Sequence, residues 1–193
     1  MTIPAERPRV RRNKLSNELL GMSLFLASEI MIFSGLIAGY MILRSQFINW
    51  PPVGQPRLPT EMTAFNSLFL LASGYTAYRW RGALASQGAL LRWIGATFIF
   101  GATFLVLQGR EWEQLLAYGL STTQDVYGGL FYVLVGAHAA HVAVALLVLA
   151  RSVVLAFLGR YTPASHQGLL AVRLYWFFVV GIWPVIYTVV YLW

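Results

Sequence analysis

Long apolar runs separated by short polar segments recur along the chain. Five such stretches lie at about 17–43, 62–79, 90–115, 126–150 and 170–193. Each is close to the ~20 residues that an α-helix needs to cross a membrane. None alternates in polarity over about ten residues, so a transmembrane β-barrel is excluded. The pattern predicts an all-α integral membrane protein, with a polar arm (1–16) ahead of a single bundle of five transmembrane helices (17–193). Asn17 or Ser16 is placed to cap the first helix, Thr60 and Thr63 lie at the start of the second, and Asp125 is a natural N-cap for the fourth. The connection WPPVGQPRLP (50–59) holds four of the eight prolines and is no regular helix. Pro184 falls inside the fifth stretch and is expected to kink it.

Composition sharpens this picture. Of 193 residues, 58% are hydrophobic and only 11% charged, with a mean hydropathy of +0.63. A soluble domain carries roughly 25% charged residues, so this chain has too little polar surface to stay in water. There is no cysteine, which removes disulfides, thiolate metal sites, thiolate-ligated haem and a thiolate-bridged copper centre. The first apolar run is too long for a signal-peptide core and lacks a small-residue cleavage pattern, so no cleavable signal is expected.

Positive charge predicts the orientation. Arg7, Arg9, Arg11, Arg12, Lys14, Arg79, Arg81, Arg92, Arg151 and Arg160 flank one side of the five stretches, against Arg44, Arg57 and Arg110 on the other. The imbalance puts the N-terminus in the cytoplasm and the C-terminus outside. Beside five spans, the basic arm 1–16 is a topology anchor that also meets anionic lipid, and no nucleic-acid partner is expected. An odd number of spans leaves no room for two equal inverted halves, and no matched pair of broken helices occurs, which disfavours a secondary transporter.

The candidate chemistry lies in the few polar residues inside these stretches. Glu29 is the only ionisable residue between Leu19 and Leu43. An acid at that depth is costly to desolvate and is by default a functional candidate with a partner to be found. In the fourth stretch His138 and His141 are three apart, hence on one side, and Gly136, Ala137, Ala139 and Ala140 permit close approach by a neighbouring helix. At 1.5 Å per residue, Glu29 and His138 each lie roughly 18 Å from the start of their oppositely directed helices. That makes them depth-matched candidates for a buried hydrogen bond or shared proton. Glu111 and Glu113 flank Trp112 and point to different sides, with Glu111 near the outer interface. A di-iron Glu-x-x-His pair is absent and Glu111 lies at a different depth from the histidines, so no metal site is expected.

Several segments carry a family resemblance. SEIMIFSGL (28–36), FNSLFLLASGYTAYRW (65–80), LQGREWEQL (107–115), YGGLFYVLVGAHAAHV (127–142) and LYWFFVVGIWPVIYTVVYLW (174–193) occur in the order and spacing of a known pattern. From Glu18 to its end, the chain resembles subunit III of the haem-copper terminal oxidases, the cytochrome c oxidase group. The resemblance lays the family's buried glutamate on Glu29, its second glutamate on Glu111, the aromatic beside it on Trp112 and its two histidines on His138 and His141. Phe177 stands where the family has His, Val180 where it has Asp, and Leu170 where it has an acid. Arg151 lies about one turn before the position of the family's lipid-associated arginine. The chain looks like the five-helix bacterial form, lacking the first two of the seven helices of the longer form.

The resemblance implies an accessory, non-catalytic subunit of a proton-pumping aa3-type oxidase in a bacterial inner membrane. Haem and copper would belong to partner subunits, with none in this chain. Expected partners are the catalytic subunit I, subunit II, other respiratory-complex subunits and bound phospholipid. Arg151 and Trp112 are the lipid-binding candidates; Glu29, His138, His141 and Glu111 are the buried, proton-linked ones. A quinol oxidase subunit III, the accessory protein of nitric oxide reductase and a stand-alone proton carrier using Glu29 remain as alternatives.

Overall fold

The computed structural model describes residues 17–52, 55, 57–120, 126–162 and 165–193. The basic arm, Ser16 and the Asp125 cap lie outside them. Among the described residues the chain forms six α-helices and one π-helical turn. They are α1 (Asn17–Ser45), α2 (Thr60–Tyr78), α3 (Trp80–Ala83), α4 (Gln87–Ala117), α5 (Val126–Phe157) and α6 (Gln167–Tyr187), followed by the turn Thr188–Leu192. The five long helices occupy the five apolar stretches. α5 runs seven residues beyond its expected end, and one short helix, α3, was not anticipated.

The helix ends have local causes. Ser86 caps α4 by accepting a hydrogen bond from the Ala89 N–H at 3.4 Å. α4 and α5 both stop at a glycine in the left-handed region, Gly119 (φ 91°) and Gly159 (φ 69°). In each the next residue's N–H reaches back to the carbonyl of the last turn, Leu120 to Leu115 and Arg160 to Leu155. Such a cap needs a residue without a Cβ at the turn. α6 continues through Pro184, and the helix widens four residues later into the π turn, where the Thr188 hydroxyl donates to the Pro184 carbonyl at 2.8 Å.

Four helices are long and apolar enough to cross a membrane by length and composition: α1, α4, α5, and α6 with its π turn. The chain is a multi-pass membrane protein. α2 differs because its inward side is polar: Thr63, Asn66, Ser67, Ser73 and Thr76 are buried, while Met62, Phe65, Leu68, Leu71, Tyr75 and Tyr78 are exposed. Buried away from water, such an inward polar face must find its partners within the protein.

Packing follows from that requirement. α2 lies chiefly on α4, α4 on α5, and α6 touches α1, α2 and α5. The indole N–H of Trp183 donates to the Ser67 hydroxyl at 2.7 Å and that of Trp176 to Ser73 at 3.2 Å. On the α4 side, Thr76 and Thr97 share a 2.8 Å hydrogen bond, and the Trp80 indole donates to Thr97 at 3.1 Å. α1 is peripheral; its buried residues Leu26, Glu29, Phe33 and Tyr40 form one narrow stripe. Gly101 of α4 makes room for Trp176, because a Cβ there would lie 2.6 Å from the ring.

Gly101→Ala is therefore expected to destabilise the detergent-solubilised protein by about 1–3 kcal/mol through overpacking. Gly95→Ala on the same helix, where a Cβ meets nothing within 4 Å, is expected to be neutral or slightly stabilising. Thermal unfolding of both variants checks the contrast, and equal effects would contradict the packing account.

Candidate functional site around Glu29 and His141

Glu29 sits on the buried stripe of α1, 8% exposed. Its Oε2 lies 2.8 Å from Nε2 of His141 on α5. The expected partner was His138, and the structure corrects this. A step of three residues along a helix turns the side chain by about 60°, from the 3.6-residue repeat. That turn is enough to aim the two histidines at different neighbours. His141 faces α1, whereas His138, 1% exposed, faces α4 and α6. Its ring stacks on Trp183 with centroids 4.9 Å apart and meets the edge of Phe104 at 6.3 Å. Neither nitrogen of His138 has a hydrogen-bond partner among the described residues.

The geometry of His141 fixes a hydrogen on one of its two ring nitrogens. Its Nδ1 is 2.7 Å from the carbonyl oxygen of Ala137. A carbonyl only accepts, so Nδ1 carries a hydrogen and donates. In the neutral ring Nε2 is then an acceptor, and its close contact with a carboxyl oxygen requires one proton between them. That proton resides either on Glu29, as a neutral acid–imidazole pair, or on His141, as an imidazolium–carboxylate pair. Phe33 at 5.1 Å from the imidazole and Tyr175, whose hydroxyl donates to the His141 carbonyl at 3.4 Å, wall the pair.

Glu111 belongs to a second, separate cluster. It is 7% exposed, buried in the bundle, while Glu113 two residues on is exposed, so the two point to different sides as expected. Thr63 of α2 and Tyr191 of the π turn both donate to its Oε1, at 2.7 and 3.0 Å. Gln108 donates to the Tyr191 hydroxyl at 3.4 Å, and Asn66 donates to the Phe104 carbonyl at 3.2 Å and to Gln108 at 3.4 Å. Asn66, Gln108 and Tyr191 were not singled out from the sequence. The available signal was spacing, since Thr63 with Asn66 and Gln108 with Glu111 each lie three apart on helices otherwise rich in apolar residues.

The lipid candidates part company. Trp112 is half-buried, with its ring against Phe131 and Tyr132 of α5 and over Gly136. It is an interhelical contact rather than a free interface aromatic. Arg151 is exposed and lines a cavity of about 410 Å³ with Glu18, Arg160, Tyr161 and His166. Among the described residues no three His, Cys, Asp or Glu side chains gather closely enough to hold a metal ion.

Relatives place the chain. Residues 13–193 match the profile of cytochrome c oxidase subunit III. The chain belongs to the cytochrome c oxidase subunit III family. It is 36% identical over 182 residues to "Cytochrome c oxidase subunit 3" of Synechocystis sp., an alignment covering 90% of this chain and 75% of the relative. It is 33% identical over 181 residues to "Probable cytochrome c oxidase subunit 3" of Mycobacterium tuberculosis, covering 89% and 86%. It is 33% identical over 182 residues to "Cytochrome c oxidase subunit 3" of Thermostichus vulcanus, covering 90% and 86%. Subunit III is part of an oxidase complex, so association with other oxidase subunits follows from membership.

Glu29→Ala leaves Nε2 of His141 without its partner and is expected to cost about 1–3 kcal/mol. Glu29→Gln keeps a hydrogen bond, because the Gln amide donates to the neutral ring, and is expected to lose much less. Thermal unfolding of the two variants beside His141→Ala measures the difference. Equal losses for Gln and Ala would rule out the shared-proton geometry.

Proposed function

We propose that this chain is the non-catalytic subunit III of an aa3-type cytochrome c oxidase in a bacterial inner membrane. In this role it packs against catalytic subunit I, stabilises it, binds phospholipid and supports proton uptake into it. Haem and copper belong to the partner subunits. The observation that carries the reading is the family match along residues 13–193, within which the acid of SEIMIFSGL lies 2.8 Å from His141. A buried carboxyl in hydrogen-bond contact with an imidazole, with no cluster of metal-ligating side chains beside it among the described residues, supports a proton-linked role rather than oxygen chemistry. α2 is the fifth span: its 19 residues rise about 28 Å, near the ~30 Å hydrocarbon thickness. The positive-charge imbalance supports a cytoplasmic N-terminus.

Mild-detergent purification is expected to bring down haem-bearing subunits with the visible spectrum of an aa3 oxidase. Absence of any haem-bearing partner would defeat the proposal. In that complex Glu29→Gln is expected to leave assembly and haem spectra intact and to change turnover or proton uptake only in part. Complete loss of oxygen reduction despite normal assembly would contradict an accessory role.

Arg151 and the cavity it lines at the N-terminal end of α1 and α6 are the proposed lipid contact. Arg151→Ala is expected to lower retained phospholipid, counted by mass spectrometry, and to hasten inactivation during turnover. Unchanged lipid would remove Arg151 from that role.

A further inference from the structure

Where α2 ends and α6 begins, a second cavity of about 390 Å³ is lined by Tyr78, Arg79, Arg81, Gly82 and Arg173. It shares no lining residue with the Arg151 cavity. Three guanidinium groups border it and no carboxylate does. Among the described residues the one acid–base contact within ion-pair distance is that between Glu29 and His141, so no acid pairs with these arginines.

The fold holds two of the three in place. Arg173, in the second turn of α6, crosses to α2, where its Nη2 donates to the Tyr78 carbonyl at 3.0 Å. That carbonyl is among those a helix leaves unpaired at its C-terminus. The guanidinium lies over the rings of Phe177 and Tyr78, 4.9 and 5.6 Å from their centroids. Its Nε is buried and has no partner among the described residues. Arg79 is spread over Trp93 at 4.9 Å, with Nη1 donating to the Tyr75 hydroxyl at 3.1 Å. Arg81 is exposed and closes the rim.

Three cations around one recess, two of them held in place, repel one another, and a bound anion between them is attracted to all three. A guanidinium presents its donors as a planar fork suited to two oxygens of one phosphate. The buried Nε–H of Arg173 adds a donor that lacks an acceptor. Tyr78 and Phe177 supply an apolar wall beside the charged one.

We propose that Arg79, Arg81 and Arg173 form an anion site for a phosphate group. The phosphate is either the headgroup of a phospholipid or a soluble phosphate. The site goes beyond the accessory role and does not depend on it.

The test uses the protein purified in mild detergent with whatever subunits accompany it. One arm counts retained phospholipid by native mass spectrometry, and the other measures binding of radiolabelled inorganic phosphate after delipidation. Arg81→Gln and Arg173→Gln are each expected to lower occupancy about tenfold or more, as loss of a charged hydrogen bond implies. Arg173→Lys keeps the charge but not the fork and should fall between. Arg92→Gln is the control, an exposed arginine outside the cavity whose Nε donates to the Gly88 carbonyl.

Loss confined to the lipid arm identifies a headgroup, and loss confined to the phosphate arm identifies a soluble anion. Equal occupancy in wild type, Arg81→Gln and Arg173→Gln in both arms would overturn the site. So would an equal fall in Arg92→Gln, which marks diffuse surface charge. Because Arg81 is exposed, its substitution reads the site without disturbing the Arg173–Tyr78 bond. Both arms read this chain whether or not haem copurifies, so they stand apart from the test of the oxidase reading.

Discussion

A polar group buried away from water must find its partner within the protein, and the polar inner side of α2 makes that constraint decisive for this bundle. Thr63, Asn66, Ser67, Ser73 and Thr76 all turn inward. The hydroxyls of Ser67 and Ser73 bring Trp183 and Trp176 of α6 onto α2, and Thr76 brings Thr97 of α4. Once these contacts form, α6 is fixed between α2, α5 and α1. Large indoles then fill the interior, which is why Gly101 has to be small.

The same logic separates the two buried acids. Glu29 lies on the peripheral helix, and among the described residues its side-chain hydrogen-bond partner is His141. Glu111 lies deep in the polar seam, where Thr63, Tyr191, Gln108 and Asn66 surround it from three elements. A carboxyl held by two hydroxyl donors on one oxygen suits a structural joint. A carboxyl facing a single imidazole, with the other ring nitrogen committed to a carbonyl, has one proton and two places to keep it. The two clusters therefore differ in form: a multiply bonded carboxyl in the seam, and a single carboxyl–imidazole contact between α1 and α5.

Legibility followed the physics of each feature. Long apolar runs mark helices because only a helix satisfies its own backbone in lipid, so all five long helices stood out from the pattern. Boundaries were less visible, since α5 continues past Ala150 until Gly159 permits the reversed turn that ends it. Glu29 was evident as a lone acid in an apolar run. Its partner was not, because spacing along one helix says which residues share a side but not which neighbour each residue meets.

The amino-acid pattern alone determined the all-helical membrane class, the family and the small set of buried polar residues, because each of these depends on local hydrophobicity and residue order. The tertiary structure decided what those residues touch. It gave His141 rather than His138 to Glu29, surrounded Glu111 with Thr63 and Tyr191 in a hydrogen-bonded seam, turned Trp112 against α5, and brought Arg173 to the end of α2. These outcomes depend on the rotation and lean of helices distant in sequence. Those angles are set by the collective pairing of polar groups and the packing of indoles, which no single segment contains.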